Sequence, residues 1–125
     1  AGEDLDKQDY RGMTAGDVRA WALAFLLTQC LELPIYLLFL RRTPRPLAER
    51  LAIAFAASGL THPFAWFAAP ALLGPRTYLP GVEAAVFVVE AAWLASFGVP
   101  RPVLASAVAN ATSCLAGLAL VRSLA

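Results

Sequence analysis

Four apolar stretches, each long enough to cross a lipid bilayer, dominate this sequence. A transmembrane helix needs about 20 apolar residues, because each residue advances the helix by about 1.5 Å and the hydrocarbon layer is about 30 Å thick. The stretches cover residues 20–40, 51–72, 79–97 and 103–121. Helices of a soluble bundle carry a polar outer face, and these stretches have none. The sequence therefore predicts an all-α integral membrane protein with four spans.

The segments between the spans are short and rich in proline and glycine. They read TPRP at 43–46, GPRTYLPG at 74–81 and GVPRP at 98–102. Proline ends helices there, because it lacks a backbone N–H and clashes with the preceding turn. Short connections place successive helices antiparallel to one another. We expect one antiparallel four-helix domain over residues 20–125, preceded by a polar tail over residues 1–19.

Charge is sparse and segregated along the chain. Only 15% of the residues are charged, against about a quarter in soluble domains. Acidic residues concentrate in residues 1–17, and arginines are densest in residues 41–50. Basic loops face the cytoplasm in membrane proteins, so we predict a cytoplasmic first loop and an outward N-terminal tail. Together with the alanine- and arginine-rich composition, this predicts a multi-pass protein of the bacterial inner membrane.

The expected partners follow from the same pattern. The lipid bilayer is the first, and nucleic acid is excluded because the basic residues form one short loop and not an extended face. The chain begins at Ala1, and an outward tail agrees with removal of a signal peptide. A polar tail orders only when something binds it. An ordered tail would indicate a homo-oligomer or other membrane subunits.

Each span carries one polar residue near mid-bilayer depth. These residues are Glu32, His62, Glu90 and Asn110. Ionisable groups in a membrane are costly, so they face the bundle interior and pair with one another. At a rise of about 1.5 Å per residue, all four lie about 10–16 Å from the cytoplasmic end. We expect them to form one site that holds a metal ion or a proton.

A second set of residues is expected to border this site. Tyr36 shares a helical face with the glutamate of the first span, and Ser113 belongs to a small, polar stripe on the fourth. Glu83 lies on the third span about 10 Å farther outward. Pro34 and Pro63 each leave a carbonyl without its helical donor beside an ionisable side chain. Such broken backbone helps to build cation sites in transporters.

Three functions are compatible with this cluster. The first is handling of protons or a divalent metal ion such as Mn, Fe or Zn in transport, since carboxylate and imidazole donors suit those cations. The second is an accessory or structural subunit of a larger membrane complex, in which polar contacts join helices. The third is a membrane-embedded hydrolase with Glu and His as acid and base. No nucleophile elbow, HExxH, haem-attachment or phosphate-loop motif is present, so an enzyme is the less favoured interpretation.

Overall fold

The described part of the chain is a set of four helices. A computed structural model describes residues 15–72 and 78–125, in which no strand occurs. The four helices are α1 (Ala15–Leu40), α2 (Leu47–Pro63, continuing through a π-helical Phe64–Ala68 and a last α-turn Ala69–Leu72), α3 (Tyr78–Ser96) and α4 (Pro102–Leu124). The predicted all-α architecture is confirmed.

The helices form a closed bundle in chain order. Helix α1 packs against α2 and α4, and α3 packs against the same two helices. Three of the described helices are long and apolar enough to cross a bilayer, namely α1, α2 and α4. Helix α3 has 19 residues, and its membrane crossing stays a prediction. The coarse prediction of a multi-pass membrane bundle is therefore confirmed.

The distribution of polar and apolar residues is the reverse of that in a soluble helical bundle. Large apolar side chains are exposed on all four helices, among them Leu26, Phe55, Val89 and Leu115. The buried residues include two glutamates and several hydroxyl side chains. Water would favour the reverse arrangement, whereas lipid solvates the apolar exterior. The outer surface of the bundle is thus suited to contact with the bilayer.

The helices extend beyond the predicted spans. Helix α1 begins at Ala15, α2 begins at Leu47 and α4 ends at Leu124, each three to five residues outside the apolar stretch. Apolar composition marks where lipid begins, while helical hydrogen bonding continues into the headgroup layer. Residues 15–19 of the expected 1–19 tail belong to the start of α1, while residues 1–14 lie outside the described residues, as do residues 73–77.

The two intramembrane prolines have different consequences. Helix α1 stays α-helical through Pro34. In α2 the π-helical segment Phe64–Ala68 follows Pro63 directly. Proline cannot complete the α-helical hydrogen-bond pattern, and wider turns of this kind are often found at functional sites. The π-helical segment begins two residues after His62.

The apolar core lies at the end of the bundle that carries the two short loops. Its fully buried members include Tyr36, Leu40, Ala54, Leu94 and Ala105. All four helices supply a leucine or an alanine to this layer, and the alanines of α2 and α4 let the helices approach closely. We call this end, with loops 41–46 and 97–101, the loop end.

Helix α3 ends at the loop end in a glycine-terminated cap. Gly98 has a φ of 71°, and the N–H of Val99 bonds to the carbonyl of Leu94 at 3.2 Å. The N–H of Gly98 bonds to the carbonyl of Ala95 at 3.0 Å. This is the Schellman pattern, and the buried Val99 and Leu94 provide its usual apolar contact.

Gly98→Ala is expected to lower the free energy of unfolding by about 1 kcal/mol, because an L-residue is strained at positive φ. No atom lies within 4 Å of the added Cβ, so the effect is backbone strain and not a clash. Gly117→Ala is the matched control, since its Cβ also meets nothing and alanine favours a helix interior. Thermal unfolding in detergent measures both. Equal stability of the two variants would refute the strain argument.

Candidate functional site

Two glutamates on opposite helices form the centre of the candidate site. Glu32 of α1 is 2% exposed and Glu90 of α3 is 1% exposed. We call them the carboxylate pair. Glu32 accepts hydrogen bonds from the hydroxyl of Ser58 on α2 and from the hydroxyl of Ser113 on α4, the latter at 2.5 Å. Glu32 is therefore bound by both neighbouring helices.

Glu90 accepts three hydrogen bonds from three helices. The Thr61 hydroxyl on α2 donates to its Oε1 at 2.8 Å, and the Asn110 amide on α4 donates to its Oε2 at 2.8 Å. The Tyr36 hydroxyl on α1 donates to the same Oε2. Asn110 also donates to the carbonyl of Ser106 at 2.9 Å, which fixes the orientation of its amide.

The donors follow the helical repeat. Ser58 and Thr61 are three residues apart on α2, as are Asn110 and Ser113 on α4. Side chains at this spacing lie on one helical face. Helices α2 and α4 therefore each donate one hydrogen bond to Glu32 and one to Glu90. All four helices meet in this network.

The carboxylate pair has no counter-charge in residues 15–72 and 78–125. The ion pair found there joins Arg45 and Glu49 at 3.4 Å, at the exposed loop end. An ionised carboxylate taken out of water costs several kcal/mol unless it is paired. Hydroxyl and amide donors offset part of that cost without adding charge. A bound proton or cation would neutralise the excess negative charge.

A partly open cavity of about 300 Å³ adjoins the carboxylate pair. Its lining comes from all four helices and includes the pair itself, Asn110, and the side chains of Thr28, His62, Trp66, Glu83 and Ser113. These residues lie at the level of the pair and beyond it, away from the loop end. The cavity therefore extends from the pair toward the opposite end of the bundle.

A packed layer closes the other side of the pair. Tyr36, Leu40 and Leu94 are fully buried there, one turn or more nearer the loop end than the carboxylates. Close packing of this kind excludes water. Within residues 15–72 and 78–125, the cavity thus meets the pair on one side and the packed layer covers the other, and Tyr36 belongs both to the network and to this layer.

His62 borders the cavity but does not join the carboxylate network. Its Nε2 lies 3.4 Å from the Thr28 hydroxyl, and the rings of Phe25 and Trp66 lie 5.3 and 6.3 Å from the imidazole. No ion pair links it to a described carboxylate, so His62 stands apart from the three residues with which it was expected to form one site. His62 lies four residues beyond the helix position that contacts Glu32, about 6 Å along the axis. Its Nδ1 is buried and has no hydrogen-bond partner among the described residues.

The expected site residues divide into two groups. Tyr36 and Asn110 bond to Glu90, and Ser113 bonds to Glu32. The Ser113 hydroxyl also lies 3.2 Å from the carbonyl oxygen of Asn110, which joins the two sets into one network. His62 and Glu83 line the cavity instead, at increasing distance from the pair. Among the described residues, no group of three or more His, Cys, Asp or Glu side chains could hold a metal ion. The network instead directs hydroxyl and amide hydrogens at the carboxylate oxygens, which suits an exchangeable proton better than a metal.

Two donors were missing from the predicted site. Ser58 and Thr61 supply the α2 half of the network. Their spacing of three residues and the adjacent His62 were visible in the sequence. Serine and threonine hydroxyls in membrane helices commonly donate hydrogen bonds to backbone carbonyls of the preceding turn. The Thr61 hydroxyl also makes such contacts, with the carbonyls of Ala57 and Ser58. Only the rotation of α2 shows that they also face the carboxylates.

Relatives of known function do not guide the interpretation of this site. A comparison of the chain with protein-family models, with curated proteins and with solved structures finds no match. Function must therefore be argued from the chemistry of the site. The relevant features are two buried carboxylates without a basic partner in the described part of the chain, the neutral donors around them, and a cavity on one side of the pair.

Proposed function

We propose that this chain moves protons across the membrane, and that the carboxylate pair is the group that binds and releases them. One observation carries the proposal: Glu32 and Glu90 are almost fully buried, yet they have no basic partner in the described part of the chain. Protonation removes the cost of burying a second negative charge. Chains of Asp, Glu and His in membrane helices serve as proton relays in pumps and transporters.

The cavity supplies one half of a proton path. Glu83 lies about 10 Å beyond Glu90 along α3, two helical turns toward the open side. The unpartnered Nδ1 of His62 offers a second group that can exchange protons with water in the cavity. Protons would pass from this side to the carboxylate pair, one carboxylate receiving the proton and the hydroxyl donors reorienting around it.

Tyr36 is the residue that would control the other half of the path. Its hydroxyl bonds to Glu90, and its ring belongs to the packed layer beside Leu40 and Leu94. Release toward the loop end requires this layer to open. Alternating access of this type keeps the binding site fixed while the packing on either side changes.

The two other functions find less support in the geometry. A hydrolase that uses His62 as a base needs a group that orients its second nitrogen, and Nδ1 has no such partner in the part of the chain that the structure describes. A subunit that meets a partner through this cluster needs the polar residues on the outer surface, but they are turned inward. Neither of these two functions accounts for the cavity beside the carboxylate pair.

Proton flux into vesicles tests the proposal. The purified protein is inserted into vesicles that contain a pH-indicating dye, and a potassium diffusion potential drives protons inward. We expect faster acidification than in protein-free vesicles. Glu49→Gln is the control for loss of a carboxylate, because Glu49 is exposed at the loop end and pairs with Arg45. Flux equal to that of protein-free vesicles would contradict the proposal.

Orientation in the bacterial inner membrane stays part of the proposal, with the loop end cytoplasmic. Pro44 is exposed in the first loop and Ser123 is exposed at the end of α4. In a variant without native cysteines, Ser123→Cys should react with an impermeant thiol reagent on intact cells. Pro44→Cys should react only after the cells are opened. The reverse result would invert the topology.

A further inference from the structure

Three arginines at the loop end have no polar partner in the described part of the chain. Arg41 and Arg42 follow the last residue of α1, and Arg101 immediately precedes α4. All three are exposed, and none of their guanidinium groups makes a hydrogen bond or ion pair with residues 15–72 or 78–125. Their guanidinium groups are free to bind an anion.

The neighbouring arginines are used differently. Arg50 donates to the carbonyls of Arg45 and Thr43, at 2.7 and 3.4 Å. Arg45 pairs with Glu49, donates to the carbonyl of Phe97 at 3.4 Å and lies 5.3 Å from the centre of that ring. Arg50 thus fastens the first loop to α2, and Arg45 joins the first loop to the second. The loop end therefore carries two kinds of arginine, those that brace the loops and those whose guanidinium groups are unpaired among the described residues.

The unpaired arginines surround a pocket of about 390 Å³. We call it the arginine pocket, and its lining is Leu38, Phe39, Arg41, Arg42, Pro100 and Arg101. Half of the lining residues are arginines and the other half are apolar, and Leu38 is 54% exposed on the outer face of α1. This combination matches an amphiphile with an anionic head.

The backbone at Arg101 gives an independent sign that its side chain matters. Its φ of 52° and ψ of 55° are left-handed, and it is the one non-glycine residue with positive φ among those described. That conformation costs about 1–3 kcal/mol for most side chains, and glycine or asparagine adopts it more readily. An arginine at this position holds a guanidinium at the pocket despite the strain.

We propose that the arginine pocket binds an anionic phospholipid, with its phosphate between the three arginines and an acyl chain along Leu38 and Phe39. Guanidinium groups bind phosphate oxygens through paired, charge-assisted hydrogen bonds. Basic residues at the edge of a membrane helix also attract anionic lipids. The apolar wall favours a lipid over a free phosphate, because soluble anions gain nothing from it.

Native mass spectrometry of the protein in mild detergent tests this site. Phosphatidylglycerol should be retained on the wild-type protein, and phosphatidylcholine should be lost. Each arginine contributes about five-fold in affinity, so Arg101→Asn should weaken retention about five-fold and Arg41→Gln with Arg42→Gln about 25-fold. Asparagine tolerates the left-handed backbone, so Arg101→Asn should melt no lower than the wild type.

The matched control removes two arginines from the opposite end of the bundle. Arg19→Gln with Arg122→Gln removes as much charge as the Arg41 and Arg42 pair, and it should leave phosphatidylglycerol retention unchanged. An equal loss in this control would show diffuse attraction and overturn the site. Equal retention of the two lipids would overturn it as well.

A competition arm separates the lipid from a free phosphate. Inorganic phosphate and glycerol phosphate should displace phosphatidylglycerol only at far higher concentration than a second phospholipid does. Displacement at comparable concentration would assign the site to soluble phosphate and overturn the lipid proposal. The inference does not depend on proton movement: Glu32→Gln should retain the lipid as the wild type does.

Discussion

Glu32→Gln is expected to reduce proton flux to the level of protein-free vesicles while the bundle stays folded. The amide has the shape of the carboxylate but cannot bind and release a proton. Ser58 and Ser113, the partners of Glu32, are hydroxyl groups that can accept as well as donate. The new amide can therefore be satisfied, and the free energy of unfolding should change by less than about 1 kcal/mol.

Glu83→Gln is the comparison for this result. Glu83 lines the same cavity on the open side, where water can replace it as a proton carrier. Its loss should lower the flux less than the loss of Glu32 does. Vesicle flux and thermal unfolding should be measured on the same preparations. Wild-type flux in Glu32→Gln would remove the carboxylate pair from the proton path.

Glu90→Ala is expected to destabilise the protein by about 2–4 kcal/mol. The substitution removes the acceptor of three buried donors, and each unsatisfied buried group costs about 1–3 kcal/mol. Thr61 and Asn110 retain bonds to backbone carbonyls of their own helices, so the Tyr36 hydroxyl carries the largest share of the loss. The deleted side chain also enlarges the cavity.

The control for this effect lies on the same helix. Glu83→Ala deletes the same atoms, but Glu83 makes no hydrogen bond with the described residues, so its loss should cost under about 1 kcal/mol. Reversible unfolding in detergent, monitored by helical circular dichroism, compares the two variants. Glu90→Ala with unchanged or raised stability would mean that Glu90 does not hold the network together.

The architecture was predictable because the membrane restricts it strongly. A lipid-exposed segment must satisfy its backbone within itself, so an apolar stretch of sufficient length implies a helix. Proline-rich breaks at 43–46 and 98–102 then imply antiparallel neighbours. The helix ends were less predictable, because α1 and α2 extend past their apolar stretches into regions where composition no longer reports on the helix.

The sequence predicted the depth of the site residues along the helices, but only partly the direction in which their side chains point around each helix axis. Counting residues along straight helices placed Glu32, Glu90 and Asn110 at one level, and the three meet in one network. The same count could not separate His62 from its neighbour Thr61, since adjacent residues differ by only about 1.5 Å in depth but by about 100° around the helix. Thr61 faces the carboxylate, and His62 faces the aromatic side chains of α1.

The aromatic environment of His62 could not be anticipated for a related reason. Trp21 and Trp66 have the sequence positions of residues that anchor helices at the membrane interface. In the structure their rings lie 6.5 and 6.3 Å from the imidazole. An aromatic residue near a span end can face lipid or a neighbouring helix, and only the packing of α1 on α2 decides between the two.

The central claim is that Glu32 and Glu90 act as one proton-binding unit, and infrared difference spectroscopy over a pH titration tests it most directly. The wild type should show a carboxylic acid C=O band whose pH dependence changes in Glu32→Gln and in Glu90→Gln. The band should be absent in the double variant, because each carboxylate responds to the charge of the other. If the pH dependence of either glutamate stays the same when the other is replaced by glutamine, the two do not act as one proton-binding unit.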